Sequence, residues 1–121
     1  MLVTGLIIAE RASAVDGKLN MTGGVVTSGK RRPGEKIYIP LVLLTQADDN
    51  RNDTITVLLH SPDGRVIPIS VPVPEVTQSG RDAGFMVHPF GLPPEAPDGR
   101  YVFVAGNISV PLTISTVDDK N

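Results

Sequence analysis

Residues 108–116, ISVPLTIST, alternate apolar side chains with serine, proline or threonine. The apolar side chains of one parity are Ile108, Val110, Leu112 and Ile114. Because successive side chains of a β-strand point to opposite faces, this period of two predicts a strand with one buried face. The runs 37–43 and 55–59 repeat the pattern, and no window of helical length carries an uninterrupted helical period.

Runs of this kind extend along the whole chain and are separated by turn residues, including three Asp-Gly pairs that close hairpins or bulged turns. This spacing is typical of a β-sandwich or barrel, and 121 residues suffice for one hydrophobic core. We therefore predict an all-β fold, a single antiparallel β-sandwich domain of about eight strands over residues 1–121. The predicted strands are 2–10, 18–27, 37–45, 54–60, 65–73, 84–90, 100–106 and 108–116.

The stretch IPISVPVPEV, residues 67–76, carries prolines of a single parity, Pro68, Pro72 and Pro74. Residues of one parity direct their backbone N–H groups to the same side of a strand, and proline has no N–H to donate. One side of this strand therefore lacks donors, whereas the residues of the other parity can pair and face a core. The pattern predicts an edge strand protected against aggregation.

The stretch GVVTSGKRR, residues 24–32, has the Gly24, Gly29 and Lys30 spacing of a phosphate-binding loop. Such a loop requires a hydroxyl residue after the lysine and a helix at that point, but Arg31 follows instead and leads into a Pro-Gly turn. We predict no nucleotide site here. The basic residues are interpreted as an exposed loop, either a solvated turn or a docking patch for phosphate, nucleic acid or an acidic protein. That patch would comprise Lys30, Arg31, Arg32 and Lys36.

The loop after the third predicted strand offers oxygen ligands at alternate positions, Asp48, Asn50 and Asn52. An EF-hand is excluded, because Asp53 stands where that motif needs glycine and Leu59 where it needs glutamate. The loop is interpreted as a polar hairpin tip, with calcium between sandwich loops as the alternative. We assign no metal site. For the calcium alternative, these three residues are the candidate ligands.

The sequence gives no motif for catalysis or for a cofactor. His60 and His88 are the only histidines, cysteine is absent, and the Gly-x-Ser-x-Gly motif does not occur. We expect His60 at a strand end and His88 on a sheet face beside Phe85 and Phe90. The prediction is a protein that is not an enzyme, with no catalytic residue and no cofactor.

Charge and hydropathy limit the classes of partner. A formal net charge of −2 gives no overall attraction to nucleic acid or anionic lipid, and no aromatic residue is interleaved with the basic loop to stack on bases. The N-terminal apolar run is interrupted at Glu10 and Arg11, too early for a signal peptide or a membrane span. We therefore expect a protein partner, no membrane contact, and a cytoplasmic or virion-associated location.

The stretch PPEAPDGRYVFVAG, residues 93–106, resembles the penultimate strand of immunoglobulin-like β-sandwiches, with the match centred on Asp98-Gly99-Arg100-Tyr101. The resemblance implies that Tyr101 is the corner tyrosine whose hydroxyl bonds to backbone upstream. The paired cysteines and core tryptophan of antibody domains are missing. Residues 6–24, LIIAERASAVDGKLNMTGG, resemble the start of an uncharacterised family of small bacterial all-β proteins. Neither resemblance implies an activity.

Two functions follow from these observations. The favoured one is a noncatalytic structural or protein-binding module, a subunit of a homo-oligomer or larger assembly such as a viral or phage coat or tail decoration. Apolar residues expected on outward faces, Val42, Leu44 and Leu58, would supply the contact, and a neighbour would also hold the polar tail after Val117. The alternative is a module binding calcium or carbohydrate through loops 46–54, 75–84 and 91–98 at one end.

Overall fold

The computed structural model describes residues 2–46, 54–73 and 83–117. All regular elements in these ranges are β-strands, so the all-β prediction is confirmed. None of the described residues belongs to a helix long and apolar enough to cross a membrane. In chain order the strands are β1 (Leu2–Ile8), β2 (Arg11–Val15), β3 (Lys18–Thr22), β4 (Ser28–Arg31), β5 (Ile37–Gln46), β6 (Thr54–His60), β7 (Val66–Pro72), β8 (Ala83–Leu92), β9 (Gly99–Ala105) and β10 (Ile108–Thr116).

The strands form two larger sheets and a separate hairpin. The three-stranded sheet has the order β1-β5-β8, the five-stranded sheet has the order β4-β10-β9-β6-β7, and β2 pairs with β3. Neighbours are antiparallel except β4 and β10, which are parallel. The prediction of a purely antiparallel fold is therefore wrong at this one pair.

The N-terminal third also differs from the predicted strands. The first strand ends at Ile8, and an additional strand, β2, completes a hairpin whose turn is Asp16-Gly17, both with positive φ. The predicted strand 18–27 is divided at Gly23, which has φ +68. The left-handed φ favours glycine at this position, and the Glu10 side chain packs against the space that a Cβ would occupy.

One hydrophobic core lies between the two larger sheets. Strand β6 shows the alternation most simply, because Ile55, Val57 and Leu59 are buried and the residues between them are exposed. The rings of Phe90, from the three-stranded sheet, and Phe103, from the five-stranded sheet, meet edge to face with centroids 5.9 Å apart. Residues of both sheets belong to one buried cluster, which is consistent with the predicted β-sandwich.

Strand β7 lies at the edge of the five-stranded sheet, as predicted. It pairs with β6, with Pro68 opposite Leu58 and Pro72 opposite Thr54. The residues of the other parity, Ile69 and Val71, are buried. The prolines therefore remove donors from the side of β7 that faces away from β6.

The loops separate into two ends of the molecule. Gln46 and Thr54, which flank residues 47–53, lie at the end opposite the connection between Leu92 and Gly99. The prediction that loops 46–54 and 91–98 share one end is therefore wrong. Three strands, β6, β7 and β8, separate the two loops in the sequence, and each strand carries the chain from one end of the molecule to the other. Residues 75–82 and the tail after Val117 lie outside the described residues.

Val42 is fully buried within this single chain, so the prediction that it supplies an oligomer contact is wrong. Its neighbours in register are Ile7 and Val87, both half-buried, and β2 lies close to β5 and β8. Leu44 is half-buried, whereas Leu58 on the other sheet is 37% exposed.

Restoring backbone donors to the β7 edge should cause aggregation. We expect the double variant Pro68→Thr, Pro72→Thr to form aggregates faster than the parent chain on mild heating, because its edge offers an unbroken row of N–H groups to another strand. Light scattering during a thermal hold measures the rate. Ser70→Thr is the matched control, since this residue has the same parity and already has an N–H. Equal rates for the double variant and the parent would contradict the role of the prolines.

Candidate functional site

Tyr101 begins the buried part of β9 and forms the bond that the resemblance implied. Its side chain is 2% exposed, and its hydroxyl donates to the carbonyl oxygen of Pro97, four residues upstream. Burial raises the pKa of the Tyr101 phenol above its ordinary value of 10, and a hydrogen bond with the Ser61 side chain opposes this increase. The hydroxyl is therefore a protonated donor at neutral pH and has a structural role.

Arg31 is 5% exposed, so its prediction as part of an exposed basic patch is wrong. Its guanidinium donates to the carbonyl oxygen of Pro93 at 3.2 Å and to that of Ala96, and it contacts the Asp98 carboxylate at 3.0 Å. The reason is the pairing of β4 with β10, which places Arg31 opposite Thr116 and turns its side chain inward. There it meets the carbonyl groups of the connection between β8 and β9.

Asp98 joins this cluster to β10. Its carboxylate accepts a hydrogen bond from the Thr116 backbone N–H and another from the Thr116 hydroxyl, both at 2.9 Å. The hydroxyl bond is the largest cause that lowers the pKa of Asp98 below its ordinary value of 3.8, and the hydrogen bond from Arg31 lowers it further. The Asp98-Gly99 pair was predicted to be a turn signal only. Its carboxylate also ties the turn to two strands.

The remaining basic residues of the predicted patch, Lys30, Arg32 and Lys36, are exposed. Lys36 places its Nζ atom 5.1 Å from the ring centroid of Tyr38, a residue that is 70% exposed. Ser28–Arg31 is a strand, where a phosphate-binding loop would have the first turn of a helix.

The metal-site candidates Asp48, Asn50 and Asn52 lie outside the described residues. In the described ranges, no group of three or more histidine, cysteine, aspartate or glutamate side chains is placed to hold a metal ion. His60 is exposed at the end of β6, as predicted. His88 is half-buried on β8, opposite Leu41.

A cleft of about 400 Å³ lies beside the turn between β6 and β7 and the connection 93–98. Its charged lining residues are Asp63, Arg65 and Glu95. Asp63 forms a 3.3 Å ion pair with Arg65 and accepts a hydrogen bond from the Arg65 backbone N–H at 3.1 Å. That backbone bond is the first cause that lowers the pKa of Asp63. Asp63 and Arg65 thus stabilise the turn to which they belong.

The outer face of the five-stranded sheet has an unusual composition. Two rows of side chains cross β7, β6, β9 and β10 in register, and neither contains a carboxylate, a lysine or an arginine. Among outward positions of this sheet in the described residues, charge is confined to Arg100 and Lys30 at one margin. We call the two rows the valine–proline face. The first row is Pro68, Leu58, Val104 and Ser109, and the second is Val66, His60, Val102 and Pro111.

Of the residues of this face, the sequence predicted an outward contact role for Leu58 alone. The signal was present, because outward positions on all four strands carry valine, leucine or proline where a solvated face usually has lysine or glutamate. Strand order was needed to bring the four strands together. Comparisons with protein-family models, with curated proteins and with solved structures found no match to this chain.

Removing the Tyr101 hydroxyl should destabilise the fold slightly. We expect Tyr101→Phe to lower the free energy of unfolding by about 1 kcal/mol, since the carbonyl of Pro97 loses its donor while the ring remains buried. Denaturant unfolding measures the change. Tyr38→Phe is the control. Tyr38 is exposed, so removal of its hydroxyl should leave the free energy of unfolding unchanged within error. A Tyr101→Phe chain as stable as the parent would show that the bond contributes nothing.

Asp98 should make stability fall at acid pH. Its folded-state pKa lies below the unfolded value of 3.8, so its contribution is present above pH 3.8 and is lost as the pH falls through the folded pKa. We expect Asp98→Asn to reduce the acid dependence of the thermal unfolding midpoint, measured by circular dichroism. Thr116→Val should reduce it in part, because it removes the hydroxyl donor. An unchanged acid dependence in Asp98→Asn would refute this assignment.

Proposed function

We propose that the chain is an immunoglobulin-like module that acts without catalysis, as a protein-binding subunit of a homo-oligomer. Strand order supports the fold assignment. In immunoglobulin-like domains the strands A, B and E lie in one sheet, and G, F, C and C′ lie in the other. The orders β1-β5-β8 and β10-β9-β6-β7 follow this arrangement, with β9 as strand F.

The position of Tyr101 supports the same assignment. A tyrosine corner lies near the start of strand F, and its hydroxyl bonds to backbone a few residues upstream. Tyr101 lies near the start of β9 and bonds to Pro97. The chain departs from antibody domains in having no cysteine pair and no tryptophan, and in inserting the β2–β3 hairpin between its first strand and β4.

The valine–proline face is the observation that carries the proposed function. Charged residues make up 20% of the sequence, yet both rows of this face lack carboxylates, lysine and arginine. Protein interfaces are depleted of charge at their centre, and contiguous apolar surface on a folded chain marks a contact site. Leu58 lies between Pro68 and Val104 in the first row, so it is the central apolar side chain.

A second copy of this chain is the partner that we propose for the face. A two-fold contact places a surface against itself, so an uncharged surface meets no like-charge repulsion. Two sheets can then stack face to face at an angle of about 30°. A face of two rows is at the lower end of interface sizes, and we expect a dimer with a Kd of about 1 to 100 µM. In a coat or tail decoration, the narrower form of this proposal, the same face would contact a neighbouring subunit.

A charge at the centre of the face should prevent dimer formation. We expect Leu58→Glu to weaken the dimer at least about tenfold, because two glutamates would be buried near the two-fold axis without cations. Sedimentation velocity over a concentration series measures the Kd. Leu2→Glu is the matched control, since Leu2 is an exposed leucine on the other sheet and should leave the Kd unchanged. A parent chain that stays monomeric at the highest concentration would refute the proposal.

A further inference from the structure

Strand β5 extends past the end of its neighbour β1. The register ends with Ile8 opposite Leu41, and the last bond between these segments runs from the Ala9 N–H to the Pro40 carbonyl oxygen. Alternate residues of a strand direct their backbone groups to the same side. The N–H and C=O of Tyr38 therefore point to the side that β1 has left, where no described residue pairs with them.

Strand β4 has an unpaired side close by. The carbonyl oxygens of Thr27 and Arg31 accept bonds from the N–H groups of Thr113 and Val117, so odd-numbered residues of this segment face β10. Ser28 and Lys30 then direct their N–H and C=O groups away from β10. Val26, of the same parity, donates to the Ile8 carbonyl oxygen at the end of β1. Beyond that bond, no described strand pairs with this side of β4.

A groove of about 350 Å³ connects these two unpaired segments. Its apolar wall includes Ile37, Ile39, Leu112 and Ile114, which come from both larger sheets. Polar side chains also line it, including Lys30 and Tyr38 on the strands and Glu10 just after the end of β1. The groove continues the line of β1 beyond Ile8. We call this groove the β4 slot. It combines unpaired backbone groups, which can bond to an added strand, with apolar surface, which side chains of that strand can cover.

The two edges of the five-stranded sheet differ in how they are protected. On β7, Pro68 and Pro72 interrupt the row of outward donors on either side of Ser70. The outward residues of β4 are serine and lysine, which retain their donors. An edge that is left open beside an apolar groove is the geometry used for strand addition, in which backbone bonds give affinity and pockets for alternate side chains give specificity.

We propose that the β4 slot binds an extended segment of a partner protein by strand addition. The segment has apolar side chains at alternate positions, which enter the groove, and an acidic residue near Lys30. Its backbone pairs with Ser28 and Lys30. This surface is separate from the valine–proline face, so the inference does not depend on dimer formation.

The test uses a short fluorescent peptide in which valine and threonine alternate, with glutamate at each end. Fluorescence anisotropy with the full chain should give saturable binding. Ser28→Pro removes one outward donor while the bonds between β4 and β10 remain, and it should weaken binding about tenfold, the effect of one backbone hydrogen bond. Ser28→Ala is the matched control, because it keeps the N–H and should bind as the parent does.

A second pair of probes leaves the protein unchanged. Peptides N-methylated on one parity or on the other lose donors along one side only. Methylation of the side that faces β4 should abolish binding, whereas methylation of the other side can remove only the bond to the Tyr38 carbonyl and should weaken binding less. Leu58→Glu should bind the unmodified peptide as the parent does, whatever its state of association. No saturable binding to the parent, equal binding by Ser28→Pro, or equal binding of both methylated peptides would each overturn the proposal.

Discussion

The buried guanidinium of Arg31 holds together three segments that are distant in sequence. It comes from β4, it donates to carbonyl groups in the connection that precedes β9, and its carboxylate partner Asp98 also binds Thr116 at the end of β10. A buried cation without partners is costly, so this arrangement fixes β4 in one place. These side-chain bonds add to the backbone pairing of β4 with β10 and anchor the strand beside its open side.

Much of the architecture could be predicted from local pattern. The strands from Ile37 onward follow from apolar side chains at alternate positions, the β7 edge follows from proline parity, and the Tyr101 bond follows from a short sequence resemblance. In each case the determining residues lie within a few positions of one another. Local physics and final structure agree there, because the core-facing side chains and the turn residues specify the same register.

The features that could not be predicted depend on distant residues. The segment Ser28–Arg31 has no apolar alternation of its own, and it is a strand because β10 offers an edge. Burial of Arg31 requires carbonyl groups more than 60 positions along the chain. Val42 is covered by neighbours on β1 and β8, and alternation along a single strand does not show which strands lie beside it. The valine–proline face likewise could not be recognised without the strand order, because its residues come from four strands.

The unequal edges of the five-stranded sheet limit what strand pairing can build. A sheet with two open edges can add molecules at both sides and grow into a fibre without end. Here the prolines of β7 close one side, so any strand accepted at β4 meets a sheet that terminates after five strands. Through the backbone of the five-stranded sheet, this chain therefore acts as a stop rather than a link between strands.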